Sequence, residues 1–290
     1  MNPGKGKIAP GLHMVAVPIG NARDITLRAL DVLRHADVLA AEDTRSLRRL
    51  LEIHGVPLGE RPCLSYHEHN GDRARPKLLE ALREGHTVAY ASEAGTPMIS
   101  DPGFDLVRAA REEDLPVTTA PGAAAVIAAL TVAGLPTDRF MFAGFLPNAA
   151  GARRKALSEL AQIPATLAFY ESPRRIGAML ADAAATLGGD RHAAVCRELT
   201  KRFEECRSGS LAELAEFYAE DPTKGEIVVL IGRGSSEKIS ESDLDSSLEA
   251  ALDTMSVRDA ADTVSRMLGV KRRAAYQRAM ELAKERAQND

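Results

Sequence analysis

Tryptophan is absent from the 290 residues, and aromatic side chains make up only 4% of them. An interface built on extensive base stacking is therefore not expected. Cysteine is also scarce. Cys63, Cys196 and Cys206 are odd in number, widely spaced and form no CxxC pair. Neither a disulfide framework nor a cysteine zinc site is expected, and a reduced, cytoplasmic setting fits best. The longest apolar run spans 123–135, only 13 residues, and is broken by Thr131 and Gly134. A membrane-spanning helix needs about 20. The opening MNPGKGKIAPG has no apolar core for a signal peptide. Neither sign of charge dominates, with a net charge of −4.

What is present is globular. Hydrophobic residues are 45% and charged residues 27%, which excludes a wholly disordered chain. At about 150 residues per domain, the length predicts two domains. The charge is unevenly placed: residues 256–290 carry +3 and the rest −7. A positive tail on a negative body fits a local anionic partner, and equally a solvated helix surface.

From Leu12 onward, short apolar runs alternate with longer amphipathic ones. Strands are predicted at 12–18, 37–43, 87–92 and 115–121, with helices over 25–36, 44–55, 73–84, 102–114 and 123–134. That alternation predicts a mainly parallel, doubly wound sheet over 12–138. A second, mixed α/β unit is predicted over 139–232, with strands at 192–199 and 203–208 forming an antiparallel hairpin. The Ser- and acid-rich stretch 233–247 reads as a linker. Residues 248–290 read as a small helical unit with helix-turn-helix spacing, whose basic last helix is a candidate RNA-docking tail.

Several motifs follow predicted strands, where open α/β sheets bind ligands. Pro18-Ile19-Gly20-Asn21 is a tight turn, either ligand-facing or merely structural, and it is not GxGxxG. Ser92 to Gly103 has twelve small, polar and turn-forming residues, unusual for a mere connection and suited to close backbone approach. Pro121-Gly122 opens a helix whose free N–H groups suit an anion, or simply makes a turn. His67-x-His69 lacks an identifiable third ligand, so no metal is expected; hydrogen bonding to a neighbour or phosphate is the better reading. Glu171 and the run Arg197 to Arg202, with Glu198 and Lys201, set acids beside bases at strand ends. They are candidates for proton transfer, or for a surface ion-pair network.

Taken together, the strings VAVPIGN (15–21), AAEDTR (40–45), SYHEHN (65–70), SEAGTPMISDPG (92–103), PGAAA (121–125), GLPTDRF (134–140), GFLP (144–147), FYESP (169–173) and RELTK (197–201) resemble, in order, the ribosomal RNA small subunit methyltransferase I family of the tetrapyrrole methylase superfamily. The resemblance implies two α/β lobes with S-adenosylmethionine in the cleft between them. It implies a homodimer that methylates a cytidine ribose 2′-hydroxyl in 16S rRNA of the small subunit, near the decoding centre. On that pattern Ile19, Gly20, Asn21 and the loop Glu93, Ala94, Gly95, Thr96, Ile99 and Ser100 approach the cofactor. Ala124 and Ala125 touch it from a helix start, and Phe169 and Tyr170 line its adenine side. Glu93 stands where the family usually has aspartate, Ala124 where it has serine, and Arg174 where it often has histidine.

Such a reaction needs no metal, because the methyl is already activated; it needs the acceptor oxygen held in line and a base or cation to assist it. Lys201, Glu198 and Glu171 are the candidates. Phosphate contacts are expected from Arg45, His67, Arg153, Arg154, Lys155 and Arg174, and from Lys271, Arg272 and Arg273 of the tail. Two other readings stay open: a methyltransferase acting on a small tetrapyrrole, and a non-catalytic RNA-binding or assembly protein.

Overall fold

The computed structural model describes residues 8–67, 69–99, 103–220, 223–234, 241–268 and 272–289. In the first lobe β1 (Gly11–Val15), α1 (Leu27–His35), β2 (Val38–Ala41), α2 (Thr44–Ile53), β3 (Cys63–Ser65), α3 (Gly71–Arg83), β4 (Thr87–Ala91), α4 (Phe104–Glu112), β5 (Val117–Ala120) and α5 (Ala125–Val132) follow one another. The strands form one parallel sheet in the order β3-β2-β4-β1-β5. Both faces are covered at the centre, so β1, β2 and β4 are mostly apolar instead of alternating with polar residues, while β5 at the edge exposes Thr118 and Thr119. Leu12, Met14, Ala40, Val88 and Tyr90 pack under α3 and α4. Val15, Leu39, Ala41, Ala89 and Ala91 face the other way, under α1 and α2.

The strand order places a switch between β1 and β4. From β1 the chain leaves over one side, and from β4 over the other. The loops after these neighbouring strands therefore part and leave a crevice at their carboxyl ends.

The second lobe runs β6 (Phe140–Phe145), α6 (Ala150–Leu160), β7 (Thr166–Glu171), α7 (Ile176–Leu187), β8 (His192–Arg197), β9 (Glu205–Ser210), α8 (Leu211–Glu220) and β10 (Ile227–Ile231). Its sheet order is β6-β7-β10-β8-β9, parallel only between β6 and β7. Helices α6, α7 and α8 bury one face, around Leu157, Phe169, Met179, Leu180, Leu214 and Val229. The opposite face, with Ala168, Ala194, Cys196, Val228 and Leu230, receives α5 from the first lobe through Val126, Ala129, Leu130 and Ala133. The predicted hairpin is β8–β9, and it sets Cys196 opposite Cys206 with sulfurs 3.2 Å apart, both free thiols. Burial pushes the Cys196 thiol well up from its ordinary range, so it is a poor nucleophile.

The tail consists of α9 (Glu241–Leu252), α10 (Val257–Leu268) and α11 (Arg272–Asn289) around Leu248, Ala261, Val264, Ala275, Ala279 and Leu282. The expected linker is thus helical from Glu241 onward: the acidic stretch supplies the first turns of α9, and Asp245 there pairs with Arg278 at 2.7 Å. Ser256 caps α10, its hydroxyl accepting the Asp259 N–H at 3.2 Å. No helix among the described residues is long and apolar enough to cross a membrane.

Candidate active site

At the switch crevice a cavity of about 1140 Å³ opens between the lobes. Its floor is set by backbone pairing across the β1 and β4 loops. The Val17 N–H donates to the Gly95 carbonyl at 2.9 Å, and the Gly95 N–H returns the bond at 3.1 Å. Gly95 has φ +75°, and a Cβ there would stand 3.2 Å from the Ile19 side chain. Glycine is therefore required twice over, by conformation and by space. The Ser92 hydroxyl donates to the Gly95 carbonyl and the Thr96 hydroxyl to the Ala123 carbonyl, each at 2.8 Å. Loop 92–99 is in this way tied both to itself and to the start of α5.

One wall is acidic. Glu42, Asp43 and Glu93 line it, with Arg45 at its mouth. Asp43 caps α2, accepting the Arg45 N–H at 2.8 Å, and the Arg45 guanidinium beside it holds its carboxyl below the usual range. The opposite wall comes from the second lobe: Phe145, Tyr170, Glu171, Leu199, Gly225 and Glu226. Tyr170 stands edge-on to Phe142 and Phe145, with ring centroids 4.7 and 5.8 Å away. Burial raises its phenol pKa.

A latch joins the lobes at the rim. After β8 the chain turns sharply, with Glu198 and Thr200 at φ +51° and +66°. The turn folds Lys201 back onto Glu198. Lys201 Nζ donates to Glu198 Oε1 and Glu226 Oε2, both at 2.9 Å. Its stem lies over Gly20, where a Cβ would come 2.5 Å from Lys201 Cγ. Thr200 Oγ1 accepts the Asn21 N–H at 3.1 Å. Burial pulls the Lys201 ammonium down, but the bonds to Glu226 and Glu198 outweigh it and raise its pKa. Glu198 is lowered by the Lys201 bond and by the Glu226 N–H.

Residues 11–215 match the Tetrapyrrole (Corrin/Porphyrin) Methylases, and residues 239–283 match the RsmI C-terminal HTH domain. The chain belongs to the tetrapyrrole methylase family. It is 47% identical over 276 residues to the Ribosomal RNA small subunit methyltransferase I of Mesorhizobium japonicum, covering 95% of this chain and 93% of that one. To the protein of the same name from Pseudomonas aeruginosa it is 43% identical, covering 93% and 96%. In fold it is similar to cobalt precorrin-4 methyltransferase, with a TM-score of 0.58 at 17% identity over 76% of this chain and 94% of that one. Diphthine synthase is as similar, at 0.58 and 16% over 76% and 90%.

Against this methylase frame, Ile19, Gly20, Glu93, Ala94, Gly95, Thr96, Ile99, Ala124, Ala125 and Tyr170 all line the cavity. Ser100 and Lys271 lie outside the described residues. Asn21 does not line it; its N–H is spent on Thr200. Phe169 is a correction: successive strand residues face opposite ways, so Tyr170 meets the cleft while Phe169 is fully buried among the lobe's own helices. Phe145 lines the cavity instead, where a β-bulge after Phe142, with Gly144 at φ +66°, breaks the alternation of β6.

Lys201 and Glu198 stand at the rim behind Glu226 and do not themselves line the cavity. Glu171 lines it but is buried and paired with Arg175 at 3.2 Å. Arg153 is another correction, being buried against Asp182 and the Asn148 carbonyl instead of facing RNA. Arg154 shares Asp182 at 3.2 Å, and Lys155 is exposed on α6, away from the cavity lining. Arg174 is exposed beyond the cavity lining, and His67 is half-buried beside Asn70 and His69, also outside it. In the tail Arg272 is engaged by Asp262, while Arg273 is exposed. Among the described residues no group of three or more His, Cys, Asp or Glu is placed to hold a metal ion. Glu226 escaped notice in the sequence because it is the residue before an ordinary apolar strand; only the antiparallel direction of β10 brings its start to the same edge as the ends of β7 and β8.

Ala124→Phe fills the cavity and weakens cofactor binding at least about tenfold, or 1.4 kcal/mol, with an unchanged melting temperature. Phe169→Leu does the reverse, lowering stability by about 1–3 kcal/mol and leaving cofactor affinity alone; titration calorimetry and urea unfolding read the two. The latch sets a pH window. Lowered Glu198 stabilises above the ordinary carboxylate range and loses that contribution as pH falls through its folded value. Raised Lys201 contributes below the ordinary lysine range and fails as pH rises through its own. The stability gap between wild type and Glu198→Gln is therefore flat from about pH 5 to 9 and closes below about pH 4, measured by urea unfolding across pH.

Proposed function

We propose that this methylase family member transfers a methyl group from S-adenosylmethionine to the ribose 2′-hydroxyl of a cytidine in 16S rRNA of the small ribosomal subunit, near the decoding centre. In this reading it works in the cytoplasm as a homodimer. The observation that carries it is the inter-lobe cavity, set at the carboxyl ends of parallel strands in a chain 47% identical over 95% of its length to a named rRNA methyltransferase. Edge strand β6, which exposes Phe140 and Met141, supports a second copy.

The lining fits S-adenosylmethionine. The volume of about 1140 Å³ is ample. Alanine at 124 and 125 leaves room beside α5, Tyr170 offers a ring, and Glu42, Glu93 and Glu226 complement a cation. The backbone of Ile19, Gly20 and Glu93 to Thr96, with Ile99, Ala124, Ala125 and Tyr170, would hold it. When bound, the cofactor supplies a methyl group activated by its positive sulfur.

The chain's own residues must then prepare the acceptor. A ribose hydroxyl is a weak nucleophile while protonated. Glu226, whose side chain is 73% exposed and lines the cavity, takes the hydroxyl proton. Lys201 acts through Glu226 from behind the cavity wall, holding that carboxylate in position and lending positive charge beside the alkoxide that develops. Its raised pKa keeps it a cation, so it is no base. Glu198 is a positioning residue that fixes the ammonium. Glu171 is held by Arg175 and the Ser172 N–H, and serves the turn into α7 instead of moving a proton. Requiring a 2′-hydroxyl selects RNA over DNA.

The deciding experiment is transfer of labelled methyl to small subunits that lack the modification, followed by mapping. The expected product is one alkali-stable 2′-O-methylcytidine; no transfer, or label on a base, overturns the reading. Lys201→Met keeps the stem over Gly20 and lowers the single-turnover rate by about 10²–10⁴-fold, with cofactor and subunit affinities unchanged. A loss confined to RNA affinity would make Lys201 a phosphate contact instead.

A further inference from the structure

Helix α2 carries a feature that the cleft does not use. Its inner face is apolar, with Leu47 and Leu51 buried, and its outer face presents Arg45, Arg48 and Arg49 one turn apart. Beside the cavity lies a second groove of about 560 Å³, lined by Arg45, Arg48, Arg49, Leu51, Glu52, Val56 and Leu58. Arg45 and Arg49 line both spaces, so the groove continues the cleft outward over α2. Its lining holds three guanidiniums and one carboxylate.

These arginines are available, whereas several others on the chain are held by carboxylates. Arg153 is buried on Asp182, and Arg278 is shared by Asp245 and Glu281. The side chains of Arg45 and Arg49 are 90% and 69% exposed, and their pairs with Asp43 and Glu52 are surface contacts, weak and exchangeable. Among the described residues Arg48 is in no ion pair with a carboxylate. The adjoining cleft is lined mostly by apolar and small residues, and its charged groups are mainly carboxylates, among them Glu42, Asp43, Glu93 and Glu226. A polyanion would be repelled from the cleft itself and held at its mouth, leaving one nucleoside to enter.

Resting on the methyltransferase reading, we infer that the α2 groove is a phosphate site for the single-stranded RNA flanking the target nucleotide, with Arg48 and Arg49 as its main contacts and Arg45 at the junction with the cleft. Guanidiniums suit this task because they fork onto phosphate oxygens. The groove carries no base specificity of its own; it fixes the path of the strand.

The test is the charge reversal Arg48→Glu in the full chain, at a residue on the solvent face of α2 that lines the groove and not the cavity. Cofactor affinity by calorimetry and melting temperature should match wild type. The KM for small subunits in the methyl-transfer assay should rise at least about tenfold, with kcat nearly unchanged. The slope of log affinity against log salt, measured with a short single-stranded oligoribonucleotide, should flatten by about 0.7, the value of one lost phosphate contact. Wild-type KM and salt slope in the variant overturn the inference, and so does a loss of kcat at unchanged KM. Failure of the underlying reading looks different: wild-type protein would then transfer no methyl to subunits, while the oligoribonucleotide would still separate wild type from variant.

Discussion

The seating of α5 against the open face of the second sheet is the contact on which the rest depends. Residues 125–132 close the first lobe in sequence, yet Val126, Ala129 and Leu130 pack with Ala168, Ala194, Val228 and Leu230 of the second. Apolar burial of this kind has no direction of its own, and it holds the lobes together by area. Small residues on both sides let helix and sheet pack closely. The start of the same helix then forms part of the cleft, and Thr96 ties the loop after β4 to it. Core packing and site geometry are thus set by one element.

Polar groups at the rim refine that arrangement. Lys201 reaches across to Gly20, Thr200 holds the Asn21 N–H, and Glu198 and Glu226 hold the ammonium. A charge drawn partly from water is tolerated here because two carboxylates satisfy it. The same economy governs the arginines. Arg153, Arg175, Arg272 and Arg278 are spent inside the protein on carboxylates and carbonyls. A count of basic residues in sequence is therefore a poor map of where an anion would bind, and the exposed outer face of α2 is a better one.

Much of the cavity lining was legible beforehand. Loop 92–99 and the turn at 18–20 are made of small residues directly after strands, and such residues have little structural reason to cluster there. Composition and local order suffice for that inference. Other assignments needed the pleat. Phe169 and Tyr170 are equivalent in a string of letters, but only one of two neighbours can face a given side of a strand. In the tail, the acid-rich composition of 233–247 suggested a linker, whereas Asp245 makes its pair with Arg278 only once α9 and α11 are packed together.

The sequence by itself determined the two-lobed α/β plan, the order of its elements and the family to which they belong, because hydrophobic period and turn residues act over a few positions. Tertiary structure alone decided which charges meet. Glu198 and Lys201 face each other because the chain turns through two left-handed residues. Glu226 joins them from 25 residues further along the chain because β10 runs antiparallel to its neighbours. Cys196 and Cys206 come within 3.2 Å because β8 and β9 are in register. Electrostatic and hydrogen-bonding partnerships depend on distances of a few ångströms between segments far apart in the chain, and those distances exist only after the apolar faces have packed.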